Sequence, residues 1–377
     1  MKRPQLVLGI MSGTSLDGVD YALCACGRKI VELKDLWYLP FPRRIRVRLE
    51  MAARGEARSW EVSQLHHDLG RFYAAGVLGR SSKSRPELIG LHGQTIFHNP
   101  SRTTPATFQL GEPAYLAAAL GVPVVSNFRA ADLAAGGQGA PLATMFHVRT
   151  FGRRGWHVCV NNLGGISNVT SIDWRREGEP RAKAFDTGPA NVLMDLAMRQ
   201  FTKGTKSFDA NGRWAARGRV CEPLLRTWLR HPFFRHRPPK STGRELFGEE
   251  SLREVLREAK RRKLPQFDVI ATLTALTAWS ITLNYRLHLR SLPDEVILVG
   301  GGAANQTLVR WIRESLEGLS SAIRVRICDE IGWPLQSIEP AAFALLAWLR
   351  WYRRPGNLPQ TTGARRACLL GQITEIG

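Results

Sequence analysis

Glycines, hydroxyl groups and a carboxylate are concentrated in one stretch near the start of the chain, Gly9-Ile-Met-Ser-Gly-Thr-Ser-Leu-Asp-Gly-Val-Asp20. Glycine allows positive φ and lets the backbone approach an anion closely, while Thr14 and Ser15 add hydroxyl and main-chain N–H donors. A strand-like run lies on each side, so we predict a tight turn between two antiparallel strands. The composition is typical of a phosphate-binding turn, and an ordinary glycine-rich hairpin turn is the alternative.

Asp17 is the unexpected member of this turn. A carboxylate among anion-binding groups is favourable when a cation arrives with the ligand, and Mg²⁺ on a nucleotide meets that condition. The turn is not a Walker A loop, because it has no lysine and because a strand follows where that loop has a helix. These residues predict Mg-ATP as the ligand, with Asp17 at the metal.

A second carboxylate, Asp186, begins the sequence Asp186-Thr-Gly-Pro-Ala-Asn191, between a predicted strand and a predicted helix. Pro189 suits the first turn of a helix, and Asp186 or Thr187 would then cap its N-terminus. The other interpretation is catalytic, because a kinase needs a general base at such a strand end. The residues alone leave both roles open.

The second half of the chain repeats the order of the first half, which is strand, glycine turn, strand and third strand. The turn Leu163-Gly-Gly-Ile166 corresponds to the first phosphate-binding turn, so we predict a structural duplication. A later strand runs into Gly300-Gly-Gly302 and then a helix, where bare backbone would let an adenine or ribose lie close. The nucleotide contacts expected from these turns are Gly164, Gly165, Gly301 and Gly302.

Two further stretches have the composition of ligand-binding loops. His92-Gly-Gln-Thr-Ile-Phe-His98 follows a short buried strand, and we expect it at a strand end, where α/β sheets bind ligands. Metal ligation by these histidines is not expected, because no carboxylate or cysteine cluster accompanies them. The loop Gly136-Gly-Gln-Gly-Ala-Pro141 is predicted to be either a hinge or a surface that lies against a ligand.

Length and composition indicate a globular protein with two domains. A chain of 377 residues is long for one core, so we expect an α/β domain at residues 1–140 and another at 141–377. The last predicted helix, residues 340–354, is expected to be able to pack back on the first domain. No apolar run is long enough to span a bilayer and no signal peptide precedes the first strand, so no membrane partner is expected. Six scattered cysteines favour reduced thiols in a cytoplasm.

A formal net charge of +21 raises the question of nucleic-acid binding. The basic residues are spread along the chain without an aromatic platform or a recognition motif. We therefore expect a solvated basic surface that attracts anionic small molecules, and no specific nucleic-acid partner. The sequence does not set the oligomeric state and is compatible with a homodimer.

Taken together, these pieces resemble the anhydro-N-acetylmuramic acid kinase family, within the superfamily of actin, sugar kinases and heat-shock-protein ATPases. The resemblance runs from about residue 7 to residue 372. It is carried by Gly9-Ile-Met-Ser-Gly-Thr-Ser-Leu-Asp-Gly18, His92-Gly-Gln-Thr95, Gly136-Gly-Gln-Gly-Ala-Pro141, Asn162-Leu-Gly-Gly-Ile166, Phe185-Asp-Thr-Gly-Pro189, Pro239-Lys-Ser-Thr-Gly-Arg-Glu245 and Pro355-Gly-Asn-Leu-Pro359.

The resemblance implies an actin-like ATPase fold, with two duplicated ribonuclease-H-like α/β domains and a central ATP cleft. It implies ATP with Mg²⁺ and the amino sugar 1,6-anhydro-N-acetylmuramic acid as substrates, and a role in bacterial cell-wall recycling. The implied catalytic residue is Asp186, and the expected sugar contacts are His92, Gln94 and Glu330. The family's nucleotide loop falls on Gly13, Thr14, Ser15, Leu16, Asp17, Gly18, Val19 and Asp20.

The implied reaction explains why a carboxylate is needed. Asp186 would take a proton from water as the water attacks C1 of the sugar, after which the C1–O6 bond breaks and O6 attacks the γ-phosphorus. The product would be N-acetylmuramic acid 6-phosphate. Asp17 would orient the metal, directly or through water. Positioning and electrostatics do most of the work in phosphoryl transfer, which suits a site with few charges.

Two positions depart from the family's pattern. Asn127 stands where Asp is frequent, and Ala190 stands where Gly is common. We expect the change at residue 127 to alter an ion pair with Arg129 or the position of the substrate. The methyl group of Ala190 is expected to narrow the approach of the backbone to the sugar.

Three alternative functions follow from the same residues. The first is a kinase of the same superfamily that phosphorylates an ordinary sugar hydroxyl, and the stretches around Gln138 and Thr242 argue against it. The second is a catalytically silent ATP-dependent clamp, which the presence of Asp17 and Asp186 disfavours. The third is a nucleic-acid binder, which rests on charge alone.

Overall fold

The structure is a computed structural model that describes residues 3–13, 16–28, 30–80, 85–100 and 103–376. The chain divides into two compact units. Unit 1 consists of Met1–Thr150 together with Gln336–Gly377, and unit 2 is Phe151–Leu335. The expected boundary at residue 140 lies ten residues before this division, and the last helix is grouped with unit 1 together with every residue from 336 onwards.

Groups of strands and groups of helices follow one another along the described residues. The strands are β1 (Gln5–Ser12), β2 (Gly18–Cys26), β3 (Val31–Pro40), β4 (Leu88–Asn99), β5 (Ala106–Leu110), β6 (Val124–Ser126), β7 (His157–Leu163), β8 (Ile166–Asp173), β9 (Arg181–Pro189), β10 (Glu295–Val299), β11 (Arg324–Ile327) and β12 (Gln372–Thr374). The helices are α1 (Arg43–Ala53), α2 (Ser59–Leu78), α3 (Ala114–Leu120), α4 (Ala130–Ala134), α5 (Thr144–Phe151), α6 (Asn191–Phe201), α7 (Arg213–Arg217), α8 (Glu222–Trp228), α9 (Glu249–Arg261), α10 (Gln266–His288), α11 (Gln306–Glu317), α12 (Ile338–Trp351) and α13 (Pro359–Thr362). None of these helices is long and apolar enough to cross a bilayer.

The sheets of the two units share one strand order. In unit 1 the order is β12-β6-β4-β1-β2-β3, with β5 also paired to β4. In unit 2 it is β11-β10-β7-β8-β9. Each sheet contains an antiparallel meander, and two later strands are added in parallel beside its first strand. This common topology confirms the predicted duplication of a ribonuclease-H-like α/β unit.

Successive residues of β1 face opposite sides of the sheet of unit 1. Leu8 and Ile10 are fully buried in a core shared with residues of α1, α2 and α3. Gly9 faces the other side, where a Cβ would lie 1.7 Å from the carbonyl oxygen of Pro340 in α12. Gly90 of β4 is similar, with a Cβ position 2.2 Å from the carbonyl oxygen of Phe343. Helices therefore cover both faces of the sheet, and the glycines allow α12 to lie directly on the strands.

The core of unit 2 is organised around α10, which is buried along most of its length. The hydroxyl groups of its threonines donate to carbonyl oxygens one turn earlier in the helix, as that of Thr274 does to Ile270 at 2.8 Å. The amide of Asn284 donates to the carbonyl oxygen of Thr187 in β9 at 2.8 Å. Since β9 also carries Asp186, the helix fixes the strand on which a predicted catalytic residue lies.

Candidate active site

The predicted phosphate-binding turn of unit 1 lies between β1 and β2, which pair antiparallel as expected. The turn is shorter than the sequence motif, because β1 extends to residue 12 and β2 begins at Gly18. The predicted contacts Thr14 and Ser15 lie outside the described residues. Leu16 has a positive φ of 57°, and its N–H donates to the carbonyl oxygen of Gly13 at 3.3 Å.

The expected use of positive φ is wrong for two glycines of the motif. Gly9 and Gly18 both have negative or extended φ. Gly9 serves the packing of α12, and a Cβ on Gly18 would lie 2.5 Å from the hydroxyl oxygen of Tyr38 in β3. Val19, a predicted nucleotide contact, has its side chain fully buried in the core of unit 1. Steric demands of packing therefore account for part of the glycine pattern.

Gln94 lies in β4 beside this turn. Its Nε2 donates to the carbonyl oxygen of Gly13 at 3.0 Å and to that of Thr95 at 3.3 Å. Its Oε1 is buried and has no hydrogen-bond partner among the described residues. Gln94 thus links two sequence motifs and keeps one acceptor available for a ligand.

The expectation that His92 lies at a strand end is wrong, because His92 lies within β4. β4 continues to Asn99, because β5 pairs with its second half. The buried ring of His92 faces the carbonyl oxygen of Gly93 with Nδ1 at 2.8 Å, and its Nε2 lies 2.9 Å from Nη2 of Arg129. Burial and the charge of Arg129 hold the pKa of His92 well below its ordinary value. The ring is therefore neutral, with its proton on Nδ1 and Nε2 accepting from Arg129.

Arg129 is half-buried, and its negative partner is a residue that the sequence analysis did not single out. Its Nη1 donates to the carbonyl oxygen of Gly139 at 2.7 Å. Burial lowers the pKa of Arg129 to about 10, and the carboxylate of Glu339 acts in the opposite direction. Glu339, at the start of α12, therefore supplies the charge that an aspartate at position 127 was expected to provide. Asn127 has φ of 54°, a conformation that asparagine tolerates better than most residues.

Asp17, Asp20 and Glu339 form an acidic group in unit 1. Burial, followed by the charges of Glu339 and Asp17, raises the pKa of Asp20 to about 7. Crowded carboxylates favour a cation, and Mg²⁺ uses one or two carboxylates together with substrate phosphates. The described residues contain no group of three His, Cys, Asp or Glu side chains that would hold a metal alone. The site at Asp17 and Asp20 therefore fits Mg²⁺ that arrives with a nucleotide.

The loop at residues 136–141 is fixed within unit 1 by Asp132, whose side chain is fully buried. Oδ2 of Asp132 accepts from the N–H of Gly139 at 2.8 Å. Oδ1 accepts from Nδ2 of Asn357 and from the hydroxyl of Thr362, both at 2.7 Å. Of the two predicted roles, these bonds favour a fixed surface over a hinge. They also join two of the motifs that carry the family resemblance.

In unit 2, Asp186 lies within β9 and does not cap a helix. α6 begins at Asn191, and its N-cap residue is Ala190, without a side-chain capping bond. The hydroxyl of Thr187 instead donates to the hydroxyl of Ser167 at 2.6 Å. The capping interpretation is therefore wrong for both Asp186 and Thr187. Ala190 is 1% exposed, so its methyl group lies in the interior of unit 2.

The carboxylate of Asp186 is held by the loop that precedes α9. Oδ2 accepts from the main-chain N–H of Thr242 at 2.8 Å, and the N–H of Asp186 donates to the carbonyl oxygen of Lys240 at 3.1 Å. Burial raises the pKa of Asp186 to about 6, against the Thr242 hydrogen bond and the Lys240 charge, while Glu245 raises it further. Near neutral pH the group is thus an anion, and it is a stronger base than an exposed carboxylate. Both properties suit a general base.

Lys240 ties this loop to the rest of unit 2. Its half-buried Nζ donates to the carbonyl oxygens of Phe233 and Phe234 at 3.1 and 3.2 Å. Burial lowers the pKa of Lys240 to about 8, and the charge of Asp186 opposes that effect. The position of Asp186 therefore depends on a loop anchored at both its main chain and its lysine side chain.

The two glycine turns of unit 2 differ in how much room they leave. Gly164 and Gly165 join β7 to β8, and their carbonyls accept the N–H groups at the start of α6, for example from Ala190 to Gly165 at 2.9 Å. A Cβ on Gly302 would lie 2.8 Å from that of Leu163, whereas nothing lies within 4 Å of such an atom on Gly301. Among these positions, Gly301 best fits the expectation of open backbone beside a flat ligand group.

Glu330 is engaged with residues of unit 2 that were not predicted to belong to the site. It forms an ion pair with Arg313 at 2.8 Å, and it accepts from the N–H of Ile327 at 3.2 Å. Both side chains of the pair are more than two-fifths exposed. No hydrogen bond or ion pair in the described residues joins Glu330 to Asp186.

The sequence analysis did not assign a role in the site to four residues that contact the predicted site residues or carry charge beside them. Lys240 and Thr242 lie in a stretch that was quoted for the family resemblance but was given no chemical role. Arg129 was considered only with residue 127, and Glu339 only as the start of a helix. A buried arginine requires a carboxylate partner, which was the available signal, but the sequence does not show which glutamate lies near it.

Comparisons with known proteins give one consistent result. The family model for anhydro-N-acetylmuramic acid kinase matches residues 5–376. The anhydro-N-acetylmuramic acid kinase of Acaryochloris marina is 41% identical over 378 residues, covering 97% of this chain and 99% of that protein. The protein of the same name from Microcystis aeruginosa is 40% identical, covering 98% of this chain and 99% of that protein.

Two solved structures are similar at a greater distance. The activator of the 2-hydroxyisocaproyl-CoA dehydratase from Clostridium difficile has a TM-score of 0.45 and 10% identity, covering 93% of this chain and 96% of that one. A ROK family glucokinase from Streptomyces griseus has a TM-score of 0.39 and 15% identity, covering 91% and 98%.

Proposed function

The chain belongs to the anhydro-N-acetylmuramic acid kinase family, and from this premise we propose that it uses ATP to convert 1,6-anhydro-N-acetylmuramic acid to N-acetylmuramic acid 6-phosphate. Such a reaction serves the recycling of cell-wall amino sugars. The structural observation that carries the proposal is Asp186, a partly buried carboxylate whose pKa is raised to about 6 and which the N–H of Thr242 holds in place.

The chemistry requires a base, because the anhydro sugar has no free 6-hydroxyl. O6 is bonded to C1, so a water molecule must open the ring before or while phosphate is transferred. Asp186 accepts one proton from the water as the water oxygen bonds to C1 and the C1–O6 bond breaks. The electron pair on O6 then attacks the γ-phosphorus, and ADP leaves. The water oxygen becomes the anomeric hydroxyl, and Asp186 releases its proton to solvent.

The nucleotide contacts predicted from the sequence fall on residues 13–20 of unit 1 and on the glycine turns of unit 2. The carboxylates of Asp17 and Asp20 would hold Mg²⁺. Mg²⁺, when bound, neutralises charge on the phosphates. Gln94 positions Gly13 through its hydrogen bond of 3.0 Å. Gly301 is the favoured position for contact with a flat part of the nucleotide.

The sugar contacts proposed from the sequence are His92, Gln94 and Glu330. The unpaired Oε1 of Gln94 supports its role as a hydrogen-bond acceptor. His92 uses both ring nitrogens within the protein, so its contact with the sugar would be through the ring surface. A contact by Glu330 would require exchange of its ion pair with Arg313.

We place the reaction in the cytoplasm, where ATP is available. The six cysteines are all unpaired, which is typical of a reducing compartment. The proposed partners are ATP and the amino sugar, without a specific nucleic acid. A homodimer remains a prediction from the sequence.

In the decisive experiment, the protein is incubated with Mg-ATP and 1,6-anhydro-N-acetylmuramic acid in ¹⁸O-labelled water. The mass of the sugar product and the position of its ¹⁸O are then determined by mass spectrometry at early times. The expected product is a sugar monophosphate with one ¹⁸O at the anomeric carbon. Asp186→Asn should lower the rate by about 10²–10⁴-fold, because the amide cannot accept the proton. Glu179→Gln, an equivalent change on an exposed turn, should leave the rate unchanged.

Failure to act on the anhydro sugar, together with transfer to a sugar that has a free hydroxyl, would replace this proposal with the ordinary sugar kinase. Full activity in Asp186→Asn would remove Asp186 from the role of base. Incorporation of ¹⁸O into phosphate, with an unlabelled sugar, would show that the water attacks phosphorus and not C1.

A further inference from the structure

Thr242 contacts the proposed base through its main chain, and the environment of its hydroxyl group is unusual. Its N–H donates to Oδ2 of Asp186, whereas its hydroxyl oxygen is buried and has no hydrogen-bond partner among the described residues. Leaving a buried hydroxyl unpaired costs about 1–3 kcal/mol, and such exceptions in folded proteins are few. The hydroxyl of Thr242 is therefore a candidate ligand group.

Other threonines of unit 2 have hydroxyl groups with hydrogen-bond partners, so an unpaired hydroxyl is not a general feature of the unit. The hydroxyls of Thr187, Thr202, Thr272 and Thr274 each donate to a carbonyl or hydroxyl oxygen of the protein. These partners lie within the same helix or on a neighbouring strand. The hydroxyl of Thr242 differs from these, since it has no such partner among the described residues.

The main chain around Thr242 is held beside the carboxylate of Asp186 by several hydrogen bonds. Asp186 bonds the main chain of residues 240 and 242 on both sides of Ser241. Lys240 adds the bonds from its Nζ to the carbonyls of Phe233 and Phe234. Because these bonds fix the main chain of Thr242 beside the carboxylate, its hydroxyl stays in the neighbourhood of that carboxylate.

The positions of these groups limit what can bind. Within one threonine the main-chain nitrogen and Oγ1 are about 3 Å apart, so Oγ1 lies close to the carboxylate that the nitrogen bonds. Oδ2 of Asp186 receives the Thr242 N–H, which leaves Oδ1 for proton transfer. Because the main chain of Thr242 bonds the same carboxylate, one oxygen atom of a ligand is expected to contact both Oδ1 of Asp186 and Oγ1 of Thr242.

We propose that Oγ1 of Thr242 binds the water molecule that attacks C1, as a second contact beside Asp186. The inference rests on the proposed function. The water gives one proton to Oδ1 and donates its other O–H to Oγ1, which directs a lone pair at C1. That second proton stays on the oxygen as it becomes the anomeric hydroxyl, so Thr242 is chemically unchanged. Its contribution is orientation of the nucleophile.

A competition between water and methanol tests this assignment. Methanol has one O–H, which it gives to Asp186, so it cannot donate to Oγ1 and is disfavoured in the wild-type protein. Thr242→Val keeps the shape of the side chain and removes the acceptor. We expect its kcat to fall about tenfold, equivalent to one lost hydrogen bond, with an unchanged KM for ATP. The ratio of methyl glycoside phosphate to hydrolysed sugar phosphate should rise about tenfold.

Thr242→Ser, which keeps the hydroxyl, should restore the wild-type ratio, and Ser241→Ala, an exposed neighbour, should not change it. The product ratio does not depend on how much protein is folded. If Thr242→Val fails to fold, Thr242→Ala is measured in the same way. A lower rate with an unchanged ratio would assign Thr242 a structural role and overturn the proposal. Lack of any anhydro-sugar turnover by the wild-type protein would instead overturn the proposed function.

Discussion

The main-chain N–H of Asp186 donates to the carbonyl oxygen of Lys240, whose ammonium group also lowers the pKa of the Asp186 carboxylate. One residue thus sets both the position and the charge state of the proposed base. The Nζ of Lys240 is in turn held by two carbonyl oxygens, so the arrangement does not rely on an exposed ion pair. The pH dependence of the enzyme should report directly on this pair.

The acidic limb of the pH profile should be set by Asp186. Its pKa is raised by burial to about 6, and only the unprotonated carboxylate accepts a proton. Activity should therefore rise as pH increases through about 6 and be lost below it. The measurement is kcat for the anhydro sugar from about pH 4.5 to about pH 8 under saturating Mg-ATP. A profile that stays flat down to about pH 5 would contradict the assignment.

Replacement of Lys240 should shift that limb. Lys240→Met removes a positive charge that lowers the pKa of Asp186, so the limb should move to higher pH. It also removes the anchor of the loop, and kcat at the new optimum should fall about tenfold. Lys240→Arg keeps the charge and should retain the original limb. An equal shift in both variants would mean that loop geometry, and not charge, controls the pKa.

Gly9→Ala should destabilise unit 1. The new Cβ would lie 1.7 Å from the carbonyl oxygen of Pro340, and the atoms around it are backbone and cannot move aside. The expected loss is about 3 kcal/mol or more, seen as a lower midpoint in urea unfolding. Gly27→Ala is the matched control, because its nearest neighbour is 3.4 Å away in the side chain of Ile30. Equal midpoints for the two variants would show that α12 does not press on β1.

Asp132→Asn should loosen the loop at residues 136–141. The aspartate accepts hydrogen bonds from Gly139, Asn357 and Thr362, and an amide can accept at only one of its two positions. We expect a loss of about 2 kcal/mol or more in the free energy of unfolding, with faster proteolytic cleavage in the loop. Asp329→Asn, at an exposed position, serves as the control. Unchanged cleavage would favour the hinge interpretation of this loop.

The sequence predicted the large features because they follow from local pattern and repetition. The meanders of both units, the hairpin glycines Gly164 and Gly165, and a strand leading to Asp186 were expected, since alternating apolar runs and glycine turns define them, although β9 continues through Asp186 to Pro189. Asp17 was selected because a carboxylate in an anion-binding turn requires a cation, and Asp186 because the family resemblance implies a catalytic role for it.

The remaining features depend on contacts between residues far apart in the chain. Gly9 was assigned to the turn because the helix that requires it to be a glycine lies more than 300 residues later. The partner of Arg129 could not be identified for the same reason, since Glu339 follows it by 210 residues. Thr242 meets Asp186 through its main chain, and a main-chain donor leaves no mark on the amino-acid type.

Unit 1 is built from both ends of the chain, since α12 covers β1 and β12 pairs with β6. During synthesis on a ribosome the first 150 residues emerge early, but the helix that covers Gly9 and Gly90 emerges only after all of unit 2. Unit 2 is continuous in the chain and has all its strands before that helix exists. The later unit is thus free to fold first, in contrast to the usual order from the N-terminus. A nascent chain that stalls near its end would consequently carry a finished second unit and an uncovered sheet in its oldest part.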